Sequence, residues 1–144
     1  MKSILFTLVL LAAGSTVCLA QCDKKVSLSS SHTQHLDAGG SVKQVNDEKT
    51  TVEFGKTDIT VSISNENGDQ KMTGTVKSNV CDWKVPFKDG KTTLNVALSN
   101  GGGESRDFTI TIEGKDGKIT FIAESKEEPD EKIKLDVEKF EAKD

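Results

Sequence analysis

The histidines are the side chains of this sequence best suited to metal binding or acid–base chemistry. His32 and His35 stand three residues apart in the polar stretch SSSHTQHLD at 29–37. Side chains at that spacing share a face on a helix, whereas on a strand they point to opposite sides. Because the stretch is typical of an extended polar strand, we expect both side chains to be exposed and predict no metal site.

Cysteine offers three further reactive side chains, at Cys18, Cys22 and Cys81. The sequence has no C-x-x-C motif, and the two cysteines beyond the N-terminal segment are too few for a four-cysteine zinc site. Cys22 and Cys81 could form a disulfide in an oxidising compartment. The alternatives are two free thiols, or a lipidated Cys22 with Cys81 buried. Because the G-x-S-x-G motif of a serine hydrolase is also missing, we predict no catalysis and no cofactor.

The tetrapeptide KDGK occurs twice, at 88–91 and at 115–118, and its acidic residue raises the question of an ion-binding loop. Asp-Gly favours the type I′ turn, because both central residues of that turn take a positive φ. Each copy stands between two strand-like runs, so we predict two β-hairpins rather than two binding loops. Pro86 precedes the first copy, which predicts that the preceding strand ends early or lies at a sheet edge.

Alternation of apolar and polar residues is the main pattern after residue 23, and it has the period of a β-strand. Ile59, Val61 and Ile63 alternate with polar residues, and four later segments repeat the pattern. A period of two with Val, Ile, Thr and Phe enrichment predicts half-buried strands that face a core on one side. The predicted strands lie near 25–36, 41–46, 50–55, 58–64, 70–80, 83–87, 91–99, 105–113, 118–125 and 131–139, with some neighbours continuous.

Two segments make the strand assignment irregular. Val76 and Val80 share one parity, whereas Trp83 and Val85 share the other. This phase slip predicts a β-bulge or a break, which we expect at residues 81–82. The last segment also has apolar residues at helical spacing, but the strict alternation of KIKLDV at 132–137 favours a strand.

The connections between the predicted strands are short and rich in Gly, Asn and Asp, as in β-hairpins. Parallel strands would need crossovers of a dozen residues or more, and the sequence has no such stretch. We therefore predict an all-β fold, an antiparallel up-and-down meander of about eight or nine strands. A barrel is favoured over a β-sandwich, because a sandwich normally needs longer Greek-key connections. In strand count and tight hairpins the predicted fold resembles the small lipocalin-like barrels.

The aromatic residues are candidates for the lining of such a barrel. Trp83 is the only tryptophan, and the phenylalanines mostly fall on the apolar parity, as core residues do. If the barrel encloses a cavity, Trp83, Phe108 and Phe121 are the predicted ligand-binding residues. The alternative is that these three side chains simply fill the core.

The N-terminus is typical of a secretory signal peptide. Lys2 precedes an apolar run, which a small-residue stretch follows up to Ala20. We predict a signal peptide at 1–20 and a single all-β domain at 21–144, with a transmembrane anchor as the alternative. A cut before Gln21 is favoured over a lipid anchor at Cys22, because lipoboxes usually carry Gly, Ala or Ser at the position of Gln21. The predicted location is secreted or extracytoplasmic, in a bacterium the periplasm or cell surface.

Charge and composition exclude some partners. Removal of residues 1–20 takes away Lys2 and no acidic residue, so the formal charge changes from −4 to −5. An acidic chain without a basic cluster is a poor partner for nucleic acid.

Taken together, these features predict an exported, non-catalytic barrel that binds an apolar small molecule in its interior or at its mouth. The alternative is a structural or protein-interaction module with a filled core, acting through its surface or a sheet edge.

Overall fold

The computed structural model describes residues 21–143, and the chain there is built almost entirely from β-strands. The predicted signal peptide at 1–20 lies outside the described residues. Residues 21–23 form one helical turn, which leads into the first strand. The strands are β1 (Val26–Leu36), β2 (Val42–Phe54), β3 (Asp58–Asn65), β4 (Gly68–Val85), β5 (Asp89–Ser99), β6 (Ser105–Lys115), β7 (Lys118–Ser125), β8 (Lys132–Val137) and β9 (Lys139–Ala142).

The sheet closes into a barrel of eight antiparallel strands. Each strand from β1 to β7 pairs with the next, and β8 returns to β1, with Leu135 opposite Thr33. The short strand β9 continues along β1 in the same register, with Ala142 opposite Val26. The prediction of an antiparallel meander and of a barrel is therefore confirmed.

The barrel interior is formed by the apolar residues of the alternating segments. In β5 and β6 the inward side chains of Leu94, Val96, Ile110 and Ile112 are at most 1 % exposed. Full burial of such side chains stabilises the fold by about 1.5–3 kcal/mol each. The period of two is therefore confirmed, with one face of each strand in the core and the other in solvent.

Within residues 21–143, no helix has the length and apolar character needed to cross a membrane.

Strand β4 is continuous, and the predicted bulge or break at residues 81–82 is wrong. The register shifts at Lys77, because Val76 pairs with Val96 and Ser78 already pairs with Asn95, and it shifts again between Trp83 and Val85. The extra residue at Lys77 reverses the parity, so Val80 is 67 % exposed although it is apolar. The bulged Lys77 points outward, and its ammonium donates to Asp107 Oδ1 at 2.8 Å, which holds the pKa of Asp107 below its usual value. Segments 41–46 and 50–55 likewise belong to one strand, β2.

The two KDGK copies form different turns. The second copy agrees with the prediction, because Asp116 and Gly117 have φ values of 52° and 83° between the paired ends of β6 and β7. The first copy does not form an Asp-Gly turn, because the turn lies at residues 86–88 and both Asp89 and Gly90 belong to β5. Pro86 cannot continue the ladder, and Phe87 takes the positive φ instead, at 60°.

The two copies also contact each other. The Asp116 N–H donates to Asp89 Oδ1 at 3.2 Å, and the Gly117 N–H donates to the Lys88 carbonyl at 3.3 Å. The repeated tetrapeptide thus packs one hairpin turn against the next at one end of the barrel. This arrangement agrees with the prediction that the two KDGK copies belong to β-hairpins rather than to binding loops.

A disulfide joins Cys22 of the helical turn to Cys81 of β4, with Cα atoms 5.9 Å apart. It ties the start of the described chain to the middle of the barrel sequence. A disulfide is consistent with an oxidising, extracytoplasmic compartment. Of the three states that the sequence left open for these two cysteines, the structure has the disulfide.

Loss of this disulfide is expected to weaken the fold. A closed loop of 59 residues corresponds to about 4 kcal/mol in the chain-entropy model. The Cys22→Ala/Cys81→Ala variant should therefore unfold at a clearly lower urea concentration than the oxidised protein, followed by the fluorescence of Trp83. Reduction of the wild type should lower its urea midpoint by the same amount. Reduction should leave the urea midpoint of the variant unchanged. Equal urea midpoints for the variant and the oxidised wild type would contradict this account.

Candidate ligand cavity

The two ends of the barrel differ, and one end is closed by aromatic side chains. The rings of Phe87 and Phe140 meet edge to face at 4.9 Å, and the Trp83 ring lies 5.7 Å from Phe140. Gln21 is buried there, and its Oε1 accepts a hydrogen bond from the Phe87 N–H at 2.8 Å. These contacts plug the end at which the chain enters the barrel.

The opposite half of the barrel contains a cavity of about 300 Å³. Its inner wall is apolar, and the side chains that form it come from β2 to β8. They are Val52, Val61, Ile63, Met72, Leu98, Phe108, Ile110, Phe121, Ala123, Ile133 and Leu135. Small-molecule sites in proteins are concave, mostly apolar and about 300–1,000 Å³ in volume. The cavity is therefore at the small end of the range that holds a ligand.

Polar side chains from β1, β2 and β4 line the mouth of the cavity. Asn46 stands at the centre of this group, because its Oδ1 accepts from Gln44 Nε2 at 2.6 Å and its Nδ2 lies 3.2 Å from His35 Nε2. An amide nitrogen can only donate, so Asn46 Nδ2 is the donor in its contact with the His35 ring. Deeper in the wall, the buried hydroxyls of Thr33 and Thr50 share a hydrogen bond at 3.2 Å. The mouth thus combines donors and acceptors above an apolar interior.

The charge at the mouth comes from one carboxylate. Among residues 21–143, Glu48 is the only acidic residue in the cavity wall, and no lysine or arginine contributes to it. The Glu48 Oε2 atom accepts a hydrogen bond from Asn65 Nδ2 of the β3–β4 hairpin at 3.2 Å. This interaction leaves the carboxylate at the edge of the cavity, where it would repel an anion and attract a cation or a hydroxyl group.

The three predicted ligand-binding residues are divided between the two ends of the barrel. Phe108 and Phe121 line the cavity, and ligand binding by them stays a prediction. Trp83 is not in the cavity wall. It is 2 % exposed at the closed end, where its Nε1 donates to Thr92 Oγ1 at 2.7 Å.

The expectation that both histidines are exposed is confirmed for His32 and wrong for His35. His32 does point outward, and its Nδ1 lies 2.8 Å from Asp47 Oδ1. His35 is half-buried on the other side of the sheet and lines the cavity. Within residues 21–143, no group of three His, Cys, Asp or Glu side chains is arranged to hold a metal ion.

Sequence reasoning missed the polar residues of the mouth because it treated β2 as two segments. In the continuous strand, the inward parity of Val52 and Thr50 extends back to Glu48 and Asn46. That extension is the signal that could have found them. Comparisons with protein-family models, with curated proteins and with solved structures found no match to this chain.

The closed end depends on a glycine that leaves space for the tryptophan ring. A Cβ atom at Gly114 would lie 2.6 Å from Trp83 Cζ3 and 2.8 Å from the Lys88 carbonyl oxygen. Gly114→Ala is therefore expected to lower the free energy of unfolding by about 1–3 kcal/mol, the usual effect of overpacking. Urea unfolding followed by Trp83 fluorescence measures it.

Gly55→Ala is the matched control, because a Cβ atom at Gly55 has no neighbour within 4 Å. Its free energy of unfolding should change by no more than about 0.5 kcal/mol. If Gly114→Ala is tolerated as well as Gly55→Ala, the ring of Trp83 does not fill the closed end as described.

Proposed function

We propose that this protein is a non-catalytic carrier or receptor that binds an apolar small molecule in the barrel cavity. The observation that carries the proposal is the cavity of about 300 Å³, with an apolar wall and a polar mouth, inside a closed barrel. Burial of apolar ligand surface supplies the binding free energy, at about 25 cal/mol per Å² removed from water. The aromatic plug formed by Trp83, Phe87 and Phe140 leaves the mouth as the route of entry.

The chemistry of the mouth favours a ligand with an uncharged or cationic polar group. Glu48 and the side-chain oxygen of Gln70 are acceptors for a hydroxyl or an amine. A carboxylate ligand would meet the charge of Glu48, and the described residues of the wall include no lysine or arginine to compensate it. The proposed ligand is thus a neutral or cationic amphiphile, with its apolar part against Phe108 and Phe121.

The proposed place of action is outside the cytoplasm. The predicted signal peptide and the Cys22–Cys81 disulfide both support export. The disulfide also occupies the sulfur atom that a lipid anchor at Cys22 would need, so we favour a protein without that anchor. A module with a filled core, acting through its surface alone, fits the cavity less well.

Filling of the cavity is expected to abolish binding. Ala123 lies in the cavity wall and is 8 % exposed, so Ala123→Phe places a ring inside the cavity. N-phenyl-1-naphthylamine, a neutral apolar fluorophore, should bind the wild type and bind this variant at least tenfold more weakly.

The control for this substitution is Ile122→Phe, which introduces the same side chain one residue away on the outer face of β7. It should bind the probe like the wild type, and near-UV circular dichroism should show that both variants are folded. Equal binding by the wild type and Ala123→Phe would place the probe elsewhere and would overturn the proposal.

The charge preference has its own test, in which decanol, decylamine and decanoate displace the bound fluorophore at pH 7. Decanoate should be the weakest competitor, because its carboxylate meets Glu48. Glu48→Gln should improve decanoate about tenfold and leave decanol unchanged. Asp47→Asn is the control, because Asp47 is 88 % exposed on the outer face and should have no such effect. If Glu48→Gln leaves the order unchanged, Glu48 does not select the ligand.

A further inference from the structure

The cavity wall contains two buried hydroxyl groups that the core does not need for its packing. Thr33 of β1 and Thr50 of β2 are each 4 % exposed, and both line the cavity. Valine has nearly the shape of threonine, and replacing both partners of a buried hydrogen bond by apolar groups of the same shape can be nearly neutral for stability. The two hydroxyls therefore add a polar character to the wall that packing alone does not require.

These two hydroxyl groups have one more hydrogen than their mutual bond uses. Thr33 Oγ1 and Thr50 Oγ1 lie 3.2 Å apart and share a hydrogen bond. Each threonine hydroxyl has one hydrogen to donate and two lone pairs to accept. The pair thus has two hydrogens, and the shared bond takes one of them. The second hydrogen can be donated to an acceptor atom inside the cavity.

A neighbouring buried hydroxyl of β1 differs in this respect. Ser30 is also buried, but its Oγ donates to the His32 carbonyl at 2.9 Å, so its single hydrogen is used within the chain. Ser30 does not contribute to the cavity wall. Of these three hydroxyls, those of the threonine pair are therefore the ones that can donate into the cavity.

The threonine pair lies between the apolar interior of the cavity and its polar mouth. Along β2 the wall changes from Val52 to Thr50 and then to Glu48. Two residues of a strand span at most about 7 Å, so the donor at Thr50 and the acceptor at Glu48 are close enough to bind one small ligand. The wall formed by β6, β7 and β8 is apolar. A ligand that uses both groups has its acceptor nearer to its apolar tail than its donor.

We propose that the Thr33–Thr50 pair selects a ligand with an uncharged oxygen acceptor within its apolar body. The inference rests on the proposed cavity function and narrows the class of ligand. The ligand is an amphiphile in which an ester, amide, ketone or ether group separates the apolar tail from a hydroxyl or amine head at Glu48. A buried donor that is left without an acceptor costs more free energy than a typical hydrogen bond supplies. A tail that is purely hydrocarbon at this level therefore binds less well.

Two naphthalenes of nearly equal size separate the acceptor from the apolar contact. 2-Acetylnaphthalene has a carbonyl oxygen where 2-ethylnaphthalene has two hydrogens, and both should displace N-phenyl-1-naphthylamine from the wild type with its disulfide intact. The ratio of their dissociation constants, ethyl over acetyl, measures the preference for the acceptor. In Thr33→Val/Thr50→Val this ratio should fall by about fivefold or more, the effect of one hydrogen bond on a binding constant.

Two control variants separate the hydroxyl hydrogen from other effects of the substitution. Thr33→Ser/Thr50→Ser retains both hydroxyls and should keep the preference of the wild type. Ser30→Ala removes a buried hydroxyl outside the cavity wall and should also leave the ratio unchanged. Near-UV circular dichroism should show that all three variants are folded.

A measurement on the wild type alone makes the test independent of the folding of the variants. The carbonyl stretch of bound 2-acetylnaphthalene, resolved from the protein bands by isotope-edited infrared spectroscopy, should lie at lower wavenumber than in hexane. This is the shift that a hydrogen bond to the carbonyl oxygen produces. A stretch at the hexane position would overturn the inference.

The outcomes distinguish this inference from the proposed function. An equal ratio for the wild type and Thr33→Val/Thr50→Val would overturn the role of the hydroxyl pair, while binding of the fluorophore would still support the cavity function. A serine variant that loses the preference as fully as the valine variant would also overturn it, because the hydroxyls are then present without effect. If neither the fluorophore nor the two naphthalenes bind the wild type, the proposed function and this inference both fail.

Discussion

Closure of the hydrogen-bonded sheet is the constraint on which the rest of this structure depends. Because β1 pairs with both β2 and β8, the barrel has a fixed circumference. An eight-stranded barrel of this kind has an interior just wide enough to be filled by side chains or to hold one small ligand. The size of the inward side chains then decides whether the interior is filled or open at a given height along the barrel axis. Trp83 fills the closed end, whereas Ala123, Thr33 and Thr50 leave space near the mouth.

The strands that could be predicted are those whose pattern is local and strong. The segments around Leu94, Ile110 and Phe121 alternate strictly, and each is a strand in the structure. The bulge at Lys77 could not be located, because Val80 is apolar and fits either parity until the pairing with β5 is known. The conformation of the first KDGK copy depends on a contact with a residue outside the tetrapeptide: a Cβ atom at Gly90 would lie 2.4 Å from Trp83 Cα. The turn preference of Asp-Gly does not depend on that contact, so it could not predict the conformation.

The candidate site was predictable in part for a related reason. Parity along the strand assigned Phe108 and Phe121 to the interior, and both reach the cavity. The height of a residue along the barrel axis depends on strand tilt and stagger, so parity alone could not separate Trp83 from them. The polar residues of the mouth were harder still, because Asn46 and Glu48 have the side chains expected on an outer surface. Their inward direction follows only from a continuous β2.

The pairing of β1 with β9 brings the two ends of the described chain side by side. The Lys143 N–H donates to the Lys25 carbonyl at 2.8 Å, next to the aromatic plug. Both ends of the described chain, at residues 21 and 143, therefore lie at the end of the barrel opposite the mouth. A tether, tag or fused domain joined at residue 21 or 143 would therefore be attached at the closed end, and the mouth of the cavity would face away from it.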